Sequence, residues 1–317
     1  MMFGAWGNTN VDECVEMVRD YVRSQREHGL PSLLDTADIY DRGRSEEITG
    51  IALRALGDAS DVSIATKVGN PMADPGTPEF ERSRGLSRRW IRLSCENSLR
   101  RLGVESIDLY QMHRPDPATP LAESVSAMHD LVVEGKIGAW GTSTFTAAQL
   151  LEIQAICTDN GFTPPATEQP PYSILVRAVE NEVADVCRRH DVSLFTWASL
   201  NGGWLTGKYN VDPGPDDRAV REASHFDFND EFMRERKRTL VAQLITVASN
   251  AGLSITEMST RWVMSNPRVG GALMGPRTPV QMRELLTIPP EALPADVLRA
   301  VDAIVPPGTT VNPRDNG

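Results

Sequence analysis

The stretch Leu33-Leu34-Asp35-Thr36-Ala37-Asp38-Ile39-Tyr40 decides the fold of this chain of 317 residues. Its two leucines are followed at once by polar residues, and a tyrosine comes five positions after Asp35. This pattern predicts a buried strand that ends at Asp35, with Tyr40 on the loop that follows. In a barrel of alternating strands and helices, the carboxyl ends of the strands are where the chemistry takes place.

The same pattern of an apolar run followed by a helical stretch recurs along the chain. Strands are predicted at residues 1–4, 33–34, 62–66, 107–112, 137–142, 166–169, 193–197 and 271–274. Helices are predicted at residues 11–28, 44–56, 87–102, 120–134, 146–159, 176–190 and 278–286, with two more after residue 230. Such alternation predicts parallel strands that close into a (β/α)8 TIM barrel. A doubly wound open sheet is the alternative, but no G-x-G-x-x-G follows any strand.

The chain is predicted to form one barrel domain over residues 1–305. Residues 306–317 lack core-forming side chains and are predicted to be a loose tail. The connections at 69–85 and 201–230 are too long for plain loops, which is typical of lids and binding loops.

Composition excludes several classes of protein. The net charge of -11 argues against a nucleic-acid-binding protein, which would normally carry a basic face. The spacing of the four cysteines suggests neither a metal site nor a disulfide framework: Cys14, Cys95, Cys157 and Cys187. No membrane span or signal peptide is apparent, so a cytoplasmic protein is predicted.

Four polar residues are predicted at neighbouring strand ends, namely Asp35, Tyr40, Lys67 and His113. Taken singly, each has a structural explanation as a cap, a loop aromatic, a solvated lysine or a core histidine. Together they suit carbonyl reduction, because hydride addition leaves an alkoxide that needs a proton donor and a nearby positive charge. Tyr40 would donate the proton, and Lys67 would lower its pKa. Asp35 would keep Lys67 protonated, and His113 would orient the carbonyl or share the proton.

These residues stand in motifs that resemble the aldo-keto reductase family. The motifs are Asp-Thr-Ala-Asp-Ile-Tyr (35–40), Ala-Thr-Lys (65–67), Ile-Asp-Leu-Tyr-Gln-Met-His-Arg-Pro-Asp (107–116), Gly-Thr-Ser (141–143), Glu-Gln-Pro-Pro-Tyr-Ser (168–173), Leu-Thr-Gly-Lys-Tyr (205–209) and Gly-Pro-Arg-Thr-Pro-Val-Gln-Met-Arg-Glu (275–284). The resemblance is nearest to a bacterial branch similar to potassium-channel β subunits. It implies a (β/α)8 barrel that binds NADPH, or less often NADH, and a catalytic tetrad of Tyr40, Lys67, Asp35 and His113.

The resemblance also implies where the cofactor binds. At the nicotinamide end it points to Ser143, Thr144, Gln169, the stacking Trp197 and the nearby Trp6. For the pyrophosphate it points to residues 200–208, with Leu200, Gly202 and Lys208, and to Arg218. For the adenosine end it points to Gly275, Arg277, Thr278, Gln281 and Glu284. Independently, Thr278-Pro279 predicts a helix start beside Arg277, which favours an anion such as a 2'-phosphate.

The chain departs from the family pattern in several places. Thr144 stands where an asparagine is usual, Ser199 where a proline is common, and Leu285 where an asparagine often contacts adenine. These changes are expected to weaken or reshape cofactor binding. The chain also opens inside the first strand, without the family's N-terminal hairpin, so that either the true start lies upstream of Met1 or the barrel bottom is covered differently.

Three functions follow from these patterns. The first is an NADPH-dependent oxidoreductase that reduces a small aldehyde or ketone. The second is a regulatory subunit that holds NADP(H) as a redox sensor with little turnover. The third, an aldolase-like barrel with Lys67 as a Schiff-base nucleophile, leaves Tyr40 without a role. The sequence predicts no metal, and it identifies neither the natural substrate nor the oligomeric state.

Overall fold

The computed structural model describes residues 3–214, 218–221 and 228–316, except for the side chains of Arg218 and Arg221. These residues divide into two compact units. The first contains Met1–Gln169, Arg189–Val192 and Gly275–Thr287, and the second contains Pro170–Arg188, Ser193–Met274 and Ile288–Gly317.

Strands and helices alternate along most of the chain. The strands are β1 (Ser32–Asp35), β2 (Val62–Val68), β3 (Ile107–Met112), β4 (Ile137–Thr142), β5 (Thr167–Glu168), β6 (Ser193–Thr196) and β7 (Val269–Ala272). The helices are α1 (Val11–Glu27), α2 (Arg44–Leu56), α3 (Arg88–Leu102), α4 (Leu121–Val133), α5 (Ala147–Asn160), α6 (Val183–Arg189), α7 (Arg218–Arg221), α8 (Glu231–Asn250), α9 (Ile255–Met264), α10 (Pro279–Leu286) and α11 (Ala295–Ile304).

In the first unit, β1 to β5 pair in parallel, each with the next strand along the chain. Parallel neighbours need a crossover connection, and a helix supplies it between consecutive strands from β1 to β5. In the second unit, β6 pairs in parallel with β7. These pairings agree with the predicted class of parallel strands joined by helices.

Side-chain caps set the starts of many helices. A capping oxygen accepts a backbone N–H of the first turn, which would otherwise lack a partner. The capping residues are Asn10, Ser87, Thr146, Asp230, Ser254 and Thr278. Thr146 and Gln149 form a complete capping box at the start of α5.

Two predicted elements differ from the structure. Phe3 forms only an isolated bridge with Asn8, so no first strand is found among residues 3–10, while residues 1 and 2 lie outside the described residues. The helix predicted at 176–190 is shortened to α6, because Val176 forms bridges with Ser173 and Thr310 instead. Tertiary pairing overrides the local helical pattern there.

The described part of the tail after residue 305 packs within the second unit. Val311 is buried, and its backbone N–H donates to Leu175 O at 2.9 Å. A short 3-10 helix follows at Pro313–Asn316. The expectation of a loose tail therefore does not hold for the described residues up to 316. The reason is that the backbone of this polar segment finds partners in residues far away in the sequence.

None of the described helices is by itself long and apolar enough to cross a membrane. Only α8 and α9 taken together reach that length and composition, and the two meet at a bend of 89°.

Candidate active site

Three polar side chains share one face of the sheet in the first unit. Asp35 pairs with Ala65, and Lys67, two residues further along β2, pairs with Gln111 on β3. Paired residues and residues two apart on a strand point to the same face. Asp35, Lys67 and Gln111 therefore meet at the carboxyl ends of β1, β2 and β3.

Lys67 and Asp35 form a buried ion pair. Lys67 Nζ donates to Asp35 Oδ2 at 2.5 Å and to Thr36 O at 2.8 Å. Lys67 is 0% exposed and Asp35 is 7% exposed. Burial opposes the charge of Lys67, but the carboxylate of Asp35, together with the phenolic group of Tyr40, outweighs it and raises the pKa of Lys67. The site thus holds a fixed ammonium group.

Two glutamines bind the other oxygen of Asp35. Gln111 Nε2 donates to Asp35 Oδ1 at 3.2 Å, and Gln169 Nε2 donates to the same atom at 3.0 Å. Gln169 Nε2 also lies 3.1 Å from Gln111 Oε1. Gln169, predicted at the nicotinamide end, thus contacts the tetrad in this structure. Sequence reasoning missed Gln111, although its place two residues before His113 puts it on the face of Lys67.

Tyr40 lies beside the ion pair, where the chain leaves β1. It begins a short 3-10 helix, Tyr40–Gly43. Its ring centroid is 5.4 Å from Lys67 Nζ and 5.8 Å from the ring of His113, which it meets edge-on. The ring centroid of Trp6, which is 47% exposed, lies 6.1 Å from the ring centroid of Tyr40. The four residues of the predicted tetrad are thus brought together, with Trp6 next to them.

Two opposing influences act on the hydroxyl group of Tyr40. Burial raises its pKa, and the ammonium of Lys67 lowers it by less, so that the pKa of Tyr40 remains above its usual value. The sequence predicts a lowered pKa for Tyr40. The net shift is upward because desolvation of the phenolate outweighs the attraction to one ammonium group. Tyr40 therefore keeps its proton at neutral pH.

His113 is uncharged in this setting. Burial lowers its pKa well below the usual value for histidine, and the charges of Lys67 and Arg114 lower it further. The Asn70 amide nitrogen faces His113 Nδ1 at 3.1 Å. A donor at Nδ1 leaves the ring proton on Nε2. His113 is thus a neutral hydrogen-bonding group at neutral pH.

Arg114 lies next to the tetrad and was not predicted. Its Nη1 donates to Thr144 Oγ1 and to His113 O. Thr144 has a φ of 63°, in the left-handed region that a β-branched residue rarely adopts. Asparagine tolerates this conformation better than threonine. This is a physical reason for the asparagine that is usual at this position in the family. In this chain, the Thr144 hydroxyl instead accepts a hydrogen bond from Arg114.

A second buried polar cluster lies on the helix side of the same strands. Asp38 is 0% exposed and accepts from Ser94 Oγ at 2.9 Å. Glu46 accepts from Thr66 Oγ1 and from Arg101 Nε, both at 2.6 Å. Burial and the nearby charge of Glu46 raise the pKa of Asp38 to about 7. The backbone N–H of Asp38 donates to Lys67 O in β2 at 3.2 Å. This hydrogen bond joins the cluster to the strand that carries the ion pair.

We expect Asp38 to make stability depend on pH. Its folded pKa of about 7 lies above the usual aspartate value of 3.8, so between these values the folded state holds a proton that the unfolded state has lost. The stabilisation that protonated Asp38 adds to the free energy of unfolding is complete below the unfolded pKa. It is lost as the pH rises towards 7, with a slope of at most about 1.4 kcal/mol per pH unit. Asp38→Asn, which mimics the protonated acid, should remove this dependence. Urea unfolding from pH 4.5 to 8 measures it.

The exposed Asp159 on α5 provides a matched control for the same acid-to-amide change. The difference in unfolding free energy between wild type and Asp159→Asn gives the baseline for this change at an exposed site. If the difference between wild type and Asp38→Asn varies with pH no more than this baseline, the assigned titration of Asp38 is wrong.

The Gly-Thr-Ser motif packs closely against β5. A Cβ at Gly141 would lie 2.0 Å from Thr167 Oγ1 and 2.7 Å from Thr167 O, so this position requires glycine. Ser143 is buried, and its hydroxyl donates to Gln169 O at 2.8 Å. Ser143 and Gln169, both predicted for the nicotinamide end, are therefore neighbours.

The residues predicted for the adenosine end gather around the start of α10. Thr278 caps the helix by accepting from Gln281 N at 3.2 Å, and Gln281 Oε1 accepts from Arg277 N at 2.8 Å. The side chain of Arg277 forms no hydrogen bond or ion pair within the described residues. Gly275 has open space where a Cβ would be, and Glu284 is exposed. A cation beside a capped helix start is a suitable anion site.

The remaining cofactor predictions fall in the second unit. Trp197 follows β6 and is half-buried, and Leu200 precedes a short 3-10 helix that contains Gly202, whose φ is 64°. Lys208 Nζ lies 4.7 Å from the centroid of the neighbouring tyrosine ring. The side chain of Arg218 lies outside the described residues.

Comparison with known proteins identifies the family. The model of the aldo/keto reductase family matches residues 1–306. A probable voltage-gated potassium channel subunit beta from Arabidopsis thaliana is 32% identical over 90% of this chain and 85% of its own length. The aldo-keto reductase YhdN of Bacillus subtilis is 31% identical over 89% of this chain and 80% of its own.

A solved structure gives the same result. The glycerol dehydrogenase from Gluconobacter oxydans superposes with a TM-score of 0.77, at 31% identity, over 97% of this chain and 90% of that one. The prediction of the (β/α)8 fold class is confirmed by this similarity. The chain belongs to the aldo/keto reductase family.

Proposed function

We propose that this protein is an NADPH-dependent reductase of small aldehydes or ketones that works in the cytoplasm. The observation that carries the proposal is the buried Lys67–Asp35 pair, whose ammonium lies 5.4 Å from the centroid of the Tyr40 ring. A fixed positive charge beside a protonated phenol suits a reaction that creates an alkoxide.

The reaction needs one hydride and one proton. A bound nicotinamide would supply the hydride to the carbonyl carbon. As the C=O π bond breaks and negative charge develops on the oxygen, the Tyr40 O–H bond gives its proton to that oxygen. Lys67 stabilises the phenolate that forms. Its positive charge lowers the pKa of Tyr40 and so opposes burial, which raises it. Asp35 holds the ammonium in place through the short contact at 2.5 Å.

His113 acts without a charge of its own. Because its pKa is held well below the usual value, the ring stays neutral in the range where free histidine titrates. A neutral ring with its proton on Nε2 can donate a hydrogen bond to the carbonyl oxygen, but it adds no second positive charge beside Lys67. The proton that is transferred is therefore assigned to Tyr40.

The residues around α10 fit a dinucleotide phosphate. Arg277 flanks the capped helix start, and its side chain forms no ion pair among the described residues. A 2'-phosphate distinguishes NADPH from NADH, and a guanidinium group recognises phosphate well. The open space at Gly275 leaves the backbone accessible there.

Titration of the purified protein with NADPH and then NADH, followed by tryptophan fluorescence, tests the proposal. Addition of 4-nitrobenzaldehyde to the bound cofactor should cause the loss of absorbance at the nicotinamide band that accompanies oxidation. Binding of NADPH followed by oxidation is the expected result. Failure to bind either nucleotide would overturn the proposal.

Arg277→Gln should change the cofactor preference. Loss of a charge-assisted contact to the 2'-phosphate should weaken NADPH binding by about tenfold or more and leave NADH binding unchanged. Arg283→Gln on α10, the helix that Arg277 precedes, is the matched control, because Arg283 is paired with Glu16 at 2.8 Å and should affect neither nucleotide. Equal losses for NADPH and NADH would remove Arg277 from phosphate recognition.

A second candidate is a regulatory subunit that binds NADP(H) with little turnover. It is favoured by relatives named as potassium channel β subunits from Arabidopsis thaliana and Oryza sativa, which are 32% and 30% identical to this chain. The same titration separates the two functions. Binding without oxidation by several aldehydes and ketones would support the regulatory subunit.

A further inference from the structure

The C-terminal tail reaches a buried polar cluster in the second unit. Lys237 on α8 is 1% exposed, and its Nζ donates to Asp315 Oδ2 at 2.7 Å and to Asn201 Oδ1 at 3.2 Å. Asn201 Nδ2 in turn donates to Asp315 Oδ2 at 3.2 Å. We call Asn201, Lys237 and Asp315 the tail cluster. Each of the three side chains contacts the other two.

The tail is held in place on its way to this cluster. Thr310 forms a bridge with Val176, and Val311 N donates to Leu175 O. Asp315 N then donates to Asn312 O at 2.9 Å within the closing 3-10 helix. The carboxylate of Asp315 is therefore delivered to Lys237 by an ordered segment.

The cluster contacts the first residue of a loop with a left-handed backbone. Asn201 has a φ of 45°, and Gly202 and Gly203 follow with φ of 64° and 103°. Glycine adopts this region freely, so of the three only Asn201 holds a side chain in it. The side-chain amide of Asn201 is held at both ends: its oxygen accepts from Lys237, and its nitrogen donates to Asp315.

Lys237 links the cluster to the rest of the loop. Its ammonium lies 5.7 Å from the ring centroid of Trp204, which is fully buried in the same 3-10 helix, Asn201–Thr206. Trp204 stacks on Phe228 with centroids 4.9 Å apart. The tail carboxylate therefore contacts, through one lysine, both the start and the middle of the loop.

We propose that Asp315 is a positioning residue for the cofactor-binding loop, residues 200–208: through Lys237 and Asn201 it holds the loop in the conformation that binds the pyrophosphate. The inference rests on the proposed function, because the family resemblance implies a pyrophosphate contact for residues 200–208 only if this chain binds a nicotinamide nucleotide. The tail would thus control how fast the nucleotide leaves, without touching it.

The test uses the full chain and three variants, Asp315→Asn, Lys237→Met and their combination. Arg314→Gln is the matched control, since Arg314 is exposed in the same 3-10 helix and lies outside the cluster. Stopped-flow fluorescence measures the NADPH dissociation rate and the single-turnover oxidation rate by 4-nitrobenzaldehyde. Hydrogen exchange at residues 200–208 is measured without nucleotide, and the unfolding midpoint is recorded for each protein.

In both single variants we expect dissociation of NADPH to be faster by about tenfold, with single-turnover oxidation at saturating NADPH within about twofold of wild type. The double variant should add little to either single variant, because the residues act through one cluster. Exchange at residues 200–208 should rise in the variants and stay unchanged in Arg314→Gln. A purely structural role would lower the folded fraction and leave the dissociation rate of the folded protein unchanged.

The outcomes separate this inference from the proposed function. If wild type binds no nicotinamide nucleotide, the proposed function fails, and with it the assignment of Asp315 to cofactor binding. If wild type binds NADPH and the variants release it at the wild-type rate with unchanged exchange, the proposed function stands and the role of Asp315 is overturned.

Discussion

Tyr40→Phe is expected to lower turnover by about a hundredfold or more and to leave NADPH affinity unchanged. The substitution removes the only proton that Tyr40 can give and keeps the ring beside His113 and Trp6. Because Lys67 Nζ is already held by Asp35 and Thr36, loss of the hydroxyl should not displace it. Steady-state turnover with 4-nitrobenzaldehyde and fluorescence titration with NADPH measure the two quantities.

Tyr21→Phe is the matched control for this prediction. The Tyr21 hydroxyl accepts from Leu33 N at 3.2 Å, so the same chemical change is made next to β1 but away from the tetrad. Turnover of this variant should stay within about twofold of wild type, as expected for a group outside the proton transfer. Unchanged turnover in Tyr40→Phe would remove Tyr40 from the mechanism.

Lys67→Met is expected to affect both activity and stability. Without the ammonium group, burial and Asp35 raise the pKa of Tyr40, and only the smaller effect of Arg114 still lowers it. Turnover should therefore fall by at least about a hundredfold. The variant also leaves the Asp35 carboxylate buried without its cation, which should lower the free energy of unfolding by about 3–5 kcal/mol. Turnover assays and urea unfolding measure the two effects.

The double variant Asp35→Asn with Lys67→Met separates stability from catalysis. It replaces the ion pair by neutral groups, and an asparagine oxygen can still accept from Gln111 and Gln169. Stability should recover in part, because no unpaired charge remains in the interior, while turnover stays low. If Lys67→Met by itself keeps turnover within a few-fold of wild type, the ammonium of Lys67 has no part in proton transfer.

Much of the strand pattern, and the proximity of the four tetrad candidates, could be predicted from the sequence. The end of β1 at Asp35 and the bounds of α2 match the prediction, because short apolar runs and helical periodicity are local signals. The meeting of Asp35 and Lys67 follows from parallel pairing of consecutive strands. The partner Gln111 follows from the same alternation and was overlooked because glutamine by itself carries no catalytic signal.

Other features depend on contacts between distant residues, which local patterns do not report. The predicted helix at 176–190 is shortened, because the tail pairs with Val176. The polar tail itself packs, since Asp315 meets a lysine that lies 78 positions earlier. The contact between Arg114 and Thr144 joins residues 30 positions apart. None of these pairings leaves a periodic trace in the sequence.

The sequence by itself determined which residues stand at the strand ends and, through its motifs, the family of the chain. Only the tertiary structure decided their electrostatic state. Whether burial or Lys67 dominates the pKa of Tyr40 depends on how much water the surrounding elements exclude, and burial dominates. The same exclusion of water keeps His113 neutral and raises the pKa of Asp38. Desolvation is a property of packing in three dimensions, and for that reason the order of residues along the chain did not reveal it.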